Sequence, residues 1–413
     1  FKKYKIKVKF NEKLRFGLLP KPHFVTKNLS ILKDKKEIGN VQNFKVFIKI
    51  GKFFSFNNIH AKDLIFSRTD FNVGRNDIDF FIKLLKTEPN ENKIIFKKSN
   101  IFFRGANDEL LFLNKINNSK FFYDSFNLEN LFTSKNEIFN IPYKLTIKND
   151  KFNKNIFKKF NSKKIRLDIE NTTDYNDEIK KGLIELLFIN KNIFLDYQIK
   201  KNSLSFSSEN KKTLNGYMDF KPFFLKANLF YDGISTKNLF NPDSFLIDLI
   251  KSEVLNNKNL NIDINLNVED ITNLNELNDL YLNIGLDQGE ITLSKSKVMW
   301  KNNLEISLKQ GLVNFDKDEI SLVGKLLIEA ENIDDFYKSF QVKKVNRKKI
   351  SELELDFVDN FNEKFFLFDN VKIDKKSNKK IDKFINKYNS NKKKFFNKIT
   401  FKNFINDFFK VYS

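Results

Sequence analysis

The sequence predicts a mainly β protein: an elongated, curved antiparallel β-sheet whose one apolar face forms a groove, with a few short amphipathic helices. Three observations predict it. Apolar and polar residues alternate with period two over many short runs, which puts every second side chain on one face of a strand. Turn residues separate those runs, with few helix-period segments between them, and this favours a meander over βαβ units. Finally, about 18 to 22 windows fit the alternation rule, with only a handful of helices; alternation alone leaves open a closed sandwich, whose two sheets cover each other.

The first run sets Tyr4, Ile6, Val8 and Phe10 against Lys3, Lys5, Lys7 and Lys9. Noisier runs follow at 44–50, 94–103, 143–147, 165–169, 184–189 and 193–199. The cleanest strand places Leu260, Ile262, Ile264, Leu266 and Val268 on one face and Asn261, Asp263, Asn265 and Asn267 on the other. Leu280, Leu282, Ile284 and Leu286 then run into Asp287, Gln288 and Gly289, with Ile291 and Leu293 leading out, the pattern of a hairpin. Further strands are predicted at Leu304, Ile306 and Leu308, at 320–328, at 353–357 and at 366–373. Helices are predicted at 76–87 and at 241–256, where Asn241 is a suitable N-cap and Pro242 suits the first turn. Three more follow from i, i+3, i+4, i+7 stripes: Ile333, Phe336, Tyr337 and Phe340; Ile381, Phe384, Ile385 and Tyr388; and Phe401, Phe404, Ile405, Phe408 and Phe409. The most natural division falls before Asn241, giving an N-terminal β-sheet region, 1–240, and a C-terminal β-groove region with a helical end, 241–413, unless the two are one continuous domain.

Composition constrains function by exclusion. The 413 residues include 49 Phe, no Cys, two Met and one Trp, with a formal net charge of +22. Without Cys there is no thiol catalysis, disulfide or thiolate metal site. Lys, Asn, Ile and Phe share A/T-rich codons, so a biased genome explains much of the composition without reference to function. The charge would suit nucleic acid or an anionic membrane, but Lys is interleaved with Asp and Glu, and its pure runs, such as Lys392 to Lys394, are short. These read as solvated faces. No remaining stretch is apolar enough to span a bilayer; the chain starts at Phe1, so a segment is expected to have been removed upstream, and any membrane anchor would lie in it.

Candidate chemistry is sparse. His23 and His60 are the only histidines and read as structural. Asp334 and Asp335 suit the first turn of a helix, Asp316 and Asp318 suit a turn, and Asp263 and Glu269 suit the polar face of a strand. Gly216, Gly289 and Gly311 read as turn or bulge residues, and no phosphate-cradling glycine loop occurs. No catalytic residue, metal site or cofactor is expected. The Phe residues fall on the apolar phase of strands and helices, which favours core or groove lining over base stacking. One sheet of so many strands would expose more apolar area than soluble monomers tolerate, and acyl chains would fill such a groove. Its expected lining is Leu260, Ile262, Ile264, Leu266, Val268, Leu282, Ile284, Leu304, Ile306 and Leu308.

Several segments resemble AsmA-like proteins. Leu19-Pro20-Lys21-Pro22-His23-Phe24, placed between two early strands, is similar to the Pro-x-Pro opening of that family. The run from Tyr281 to Leu293 resembles its late hairpins, as does the succession from Trp300 through Leu304, Ile306 and Leu308 to Gly324 and the short helix at 334–340. Gly216 with Lys221-Pro222-Phe223 fits between them. The resemblance implies a non-enzymatic envelope protein of a Gram-negative bacterium, periplasmic and anchored to the inner membrane by an N-terminal helix missing from this chain. It further implies a β-groove related to chorein-type bridge proteins, carrying phospholipid between inner and outer membrane in support of outer-membrane assembly. The expected partners are phospholipid acyl chains, a membrane surface and other envelope proteins, and no nucleic acid. At about 4.8 Å per strand, about 20 strands would extend roughly 95 Å, a partial bridge. The alternative is a basic structural component of a ribosome or other nucleic-acid assembly.

Overall fold

Alternation becomes strand over most of the chain. The computed structural model describes residues 7–33, 36–49, 61–74, 77, 92–105, 107–150, 152–174, 181–188, 191–200, 203–209, 213–220, 223–235, 258, 260–272, 274–301, 303–316, 319–360, 365–390 and 398–413. Of these, 70% are strand and 12% helical, so the mainly β class holds. The expected break before Asn241 and the helix at 241–256 lie outside the described residues, as does the helix at 76–87 except for Asp77. By backbone contacts the chain forms two compact units, Phe1–Ile199 and Lys200–Ser413.

The first unit holds β1 (Lys7–Phe10), β2 (Arg15–Gly17), β3 (His23–Lys33), β4 (Lys36–Ile48), β5 (Ala61–Gly74), β6 (Lys93–Arg104) and β7 (Leu110–Asp124). It continues through β8 (Glu129–Ile138), β9 (Ile141–Asp150), β10 (Asn155–Ser162), β11 (Leu167–Asp174), β12 (Lys181–Phe188) and β13 (Lys191–Lys200). Strands β1 and β2 both pair with β3. From β3 to β13 neighbours in sequence pair antiparallel, except β5 and β6, which run parallel with Leu64 opposite Ile94. The core gathers where β3 to β7 bring their apolar phases together, around Leu29, Ile38, Phe44, Phe66 and Ile94. Phe66 bridges two neighbours there, its ring 4.7 Å from Phe44 and 4.9 Å from Phe96.

The second unit holds β14 (Ser203–Ser208), β15 (Leu214–Phe220), β16 (Phe223–Ser235), β17 (Leu260–Thr272), β18 (Leu277–Asp287), β19 (Glu290–Thr292) and β20 (Ser296–Trp300). Then come β21 (Leu304–Asp316), β22 (Glu319–Ala330), β23 (Glu352–Asn360), β24 (Phe365–Ile373) and β25 (Lys376–Ser377), with helices α1 (Asp334–Ser339), α2 (Lys379–Ser390) and α3 (Lys398–Tyr412). Strands β16 and β17 run parallel, Leu225 opposite Ile262 and Leu229 opposite Leu266. The other pairings among this unit's described strands are antiparallel.

The wholly antiparallel ladder expected from the sequence is therefore corrected at two places. Alternation reports which face a side chain takes, not which way its strand runs. A parallel neighbour needs a crossover of a dozen or more residues, and both parallel pairs occur where the sequence carries one, across 75–92 and 236–259. The helices predicted at 76–87 and 241–256 fall in those connections.

The helices of the second unit follow the predicted stripes. Ile381, Ile385 and Tyr388 of α2 are buried, as are Tyr337 of α1 and Phe408 and Phe409 of α3. Asn389 fastens α2 to the sheet as a strand would: its amide nitrogen donates to the Phe368 carbonyl at 2.7 Å and its oxygen accepts the Phe368 N–H at 3.1 Å. Asn406 of α3 donates to the Phe340 carbonyl at 2.9 Å, and the Tyr337 hydroxyl to the Lys348 carbonyl at 2.6 Å.

Candidate apolar ligand site

Register, more than sequence spacing, decides which predicted lining residues meet. Across β17 and β18, Ile264 faces Ile284, Leu266 faces Leu282, and Val268 faces Leu280. Leu260, Ile262 and Ile264 remain half-buried, whereas Leu266 and Val268 are buried. Leu260, Ile262 and Ile284 pack on Leu286, Ile291 and Ile320. Across β20 to β23 the same face continues: Val298 with Ile306, Ile306 with Ile328, Leu308 with Leu326, and Leu326 with Leu355. Leu308, also expected in the groove, is buried.

Here the helices close over the sheet without filling the space beneath. A cavity of about 640 Å³ remains between α1, α2, α3 and the strands, within the usual range of ligand pockets, about 300–1,000 Å³. Leu304 and Ile306 line its floor with Ile328, Leu353 and Leu355; Trp300, Phe336, Phe368, Phe404 and Phe408 line its walls. Only Glu276 and Ser339 bring polar side chains to the wall. The rings are mutually packed, Phe336 being 5.4 Å from Trp300 and Phe404 5.5 Å from Phe368. Of the ten expected lining residues, Leu304 and Ile306 therefore reach the cavity; Leu260 to Val268, Leu282 and Ile284 form a separate stretch of the same unit's apolar surface. The contribution of the three aromatic helices was missed, although their stripes were legible, because a stripe shows that a face is buried and not against what.

One carboxylate interrupts the apolar face. Asp359 continues the phase of Leu353, Leu355 and Phe357 and sits opposite Leu322 and Phe366; burial pushes its carboxyl up to about 6. The opposite face of this sheet is polar and tightly knit. Asn228 donates to Asn215 at 3.0 Å, Asn265 to Asn228 at 2.9 Å, and Asn283 to Asn265 at 2.8 Å, an amide ladder crossing four strands. Lys226 pairs with Asp263 at 3.1 Å and Lys297 with Glu305 at 3.0 Å. Asp263 thus has the solvating role expected for it, and Glu269 is exposed.

The other candidates for chemistry are structural. His23 is buried against Phe47, its Nδ1 2.8 Å from the Lys21 carbonyl, and His60 lies outside the described residues, as does Asp318. Asp335 accepts from Asn303 at 2.9 Å and pairs with Lys338. Gly289 has φ 90° in the β18–β19 turn, whereas Gly216 lies mid-strand, where a Cβ would come within 2.1 Å of the Lys226 carbonyl. No cluster of metal-ligating side chains occurs among the described residues, and no helix among them is long and apolar enough to cross a membrane.

Comparison with known proteins found no matching family model and no similar curated protein.

Proposed function

We propose that this chain is a non-enzymatic lipid-binding protein that takes phospholipid acyl chains on the apolar face of its sheets. The observation that carries this reading is the cavity beneath α1 to α3: ligand-sized, walled by aliphatic and aromatic side chains, with two polar residues at its border. Its lining is almost wholly hydrocarbon and aromatic, and apolar cavities exclude water while accepting hydrocarbon. The resemblance to AsmA-like proteins supports the finer setting: a periplasmic protein, tethered to the inner membrane by a preceding helix, passing phospholipid toward the outer membrane.

The test is lipid extraction from purified protein followed by mass spectrometry, with titration of a fluorescent fatty acid. Phospholipid should co-purify and the probe should bind. Ile306→Trp, which fills the cavity from its floor, should weaken probe binding by about tenfold or more, the equivalent of roughly 1.4 kcal/mol, while leaving the protein folded. A lipid-free preparation that binds no probe, or unchanged binding by the folded variant, would overturn the proposal. The nucleic-acid alternative finds no specific support in Lys226 and Lys297, which are matched to carboxylates across neighbouring strands.

A further inference from the structure

The first unit turns a lysine toward its apolar face. Lys158 of β10 sits between Ile147 of β9 and Asn171 of β11, on the side shared by Leu145, Phe160, Ile169 and Leu186. Its ammonium donates to Asn171 Oδ1 at 2.9 Å and to Thr173 Oγ1 at 3.2 Å. An ammonium has three donors, and two are used. The adjacent lysines are handled differently. Lys159, one residue along and therefore on the other face, pairs with Glu170; Lys148 pairs with Glu129 at 3.4 Å and Lys115 with Glu137 at 2.8 Å. Asp168, Glu170 and Glu185 all act on Lys159. None of them acts on Lys158, whose basicity is lowered by burial alone.

A half-buried cation without a counter-charge costs stability, and leucine or methionine would continue the face at no such cost. Asn171 and Thr173 hold the ammonium in place through neutral oxygens, and no carboxylate among the described residues pairs with it. We propose that Lys158, positioned by Asn171 and Thr173, is a subsite for the phosphate of a phospholipid head group, with the acyl chains lying along the neighbouring Ile147, Phe160, Ile169 and Ile184. This rests on the lipid-binding reading above and adds a selectivity to it: anionic phospholipid over a neutral lipid with the same tails. A charge-assisted hydrogen bond is worth about 1.5–3 kcal/mol, or a preference of roughly 10- to 150-fold.

The experiment titrates the full chain with dioctanoyl phosphatidylglycerol, with dioctanoylglycerol, and with inorganic phosphate as competitor, comparing wild type, Lys158→Met and Lys158→Arg. Wild type should prefer phosphatidylglycerol by at least about tenfold. Lys158→Met should bring the two lipids within about twofold with diacylglycerol binding unchanged, and Lys158→Arg should keep the preference. Without lipid, Lys158→Met should unfold at a higher temperature than wild type, since it removes a half-buried cation; a lysine with a structural role would give the opposite shift. Equal binding of both lipids by wild type, or a preference surviving in Lys158→Met, would overturn the subsite and leave lipid binding standing. Binding of inorganic phosphate alone with no lipid preference would make it a free-phosphate site and refute the head-group assignment. If wild type bound neither lipid, both readings would fall together. Should Lys158→Met fail to fold, Asn171→Leu, which releases the ammonium, should cut the preference by the same measure.

Discussion

Asp359 shows how one side chain ties the apolar face to pH. Its position in β23 calls for an apolar residue, flanked as it is by Leu322 and Phe366, and burial raises its pKa to about 6. In the unfolded chain an aspartate titrates near 3.9. Between those values the folded state keeps a proton that the unfolded state has lost, so this group favours folding below about pH 4 and progressively loses that contribution as pH rises through 6. Acidification from about pH 7.5 to pH 5 should therefore stabilise the protein through Asp359. Because the group is partly solvated, the expected gain is only about 1–2 kcal/mol. Asp359→Asn should be more stable than wild type at pH 7.5 by a similar amount and should flatten this part of the pH profile. Urea unfolding at the two pH values measures it, and a variant that is less stable at pH 7.5 would show that the carboxylate has a stabilising partner.

At the level of strands, what the sequence hid was phase. The β17 run was legible because its alternation is unbroken from Leu260 to Val268, and α2 and α3 were legible because their stripes are continuous. Strand β5, in contrast, buries Leu64 and Phe66 and then Thr69, Phe71 and Val73: the buried set moves from even to odd numbers. The shift is made at Arg68, whose φ is 53°. Asn28 of β3 and Lys98 of β6 have φ values of 51° and 49°, and the registers place these positions at one level across neighbouring strands. A period-two search reads such a strand as two half-strands with opposite faces, which is why β5 is not among the predicted runs. Lys158 was hidden for a related reason: in Ile156-Phe157-Lys158-Lys159-Phe160, residues of both kinds fall on either phase, and only the pairing with β9 and β11 shows which lysine turns inward. The same geometry makes a prediction. A non-glycine residue in the left-handed region costs on the order of 1–3 kcal/mol, most for β-branched side chains. Arg68 is exposed, so Arg68→Val should destabilise by about 1–3 kcal/mol with little packing lost, and Arg68→Gly should be neutral or slightly stabilising. Equal stability of the two variants in chemical denaturation would refute the conformational explanation.

For the whole chain, the question is what a net charge of +22 does. Composition alone suggests a polyanion as partner, and 74 basic against 52 acidic residues is an excess large enough to bind nucleic acid if it were gathered on one surface. Among the described residues part of it is matched to acids instead. Alternation assigns lysine to the solvated phase, and cross-strand register then sets many of these lysines opposite acids, as with Lys372 and Lys325 beside Glu354, Lys226 beside Asp263 and Lys115 beside Glu137. A nucleic-acid interface behaves otherwise: neutralising Z phosphates together gives a slope of about −0.9Z when log affinity is plotted against log salt. With these cations matched to neighbouring acids, this chain should bind single- or double-stranded RNA weakly, with a slope no steeper than about −2. Binding of hydrocarbon in the cavity, by contrast, should change little over the same salt range, because burial of apolar surface is not screened. Filter-binding and fatty-acid titrations from about 50 to 300 mM salt separate the two. A slope near −6 or steeper for RNA would mean that the basic residues converge on one surface, and would favour the ribosomal alternative over a lipid-binding role.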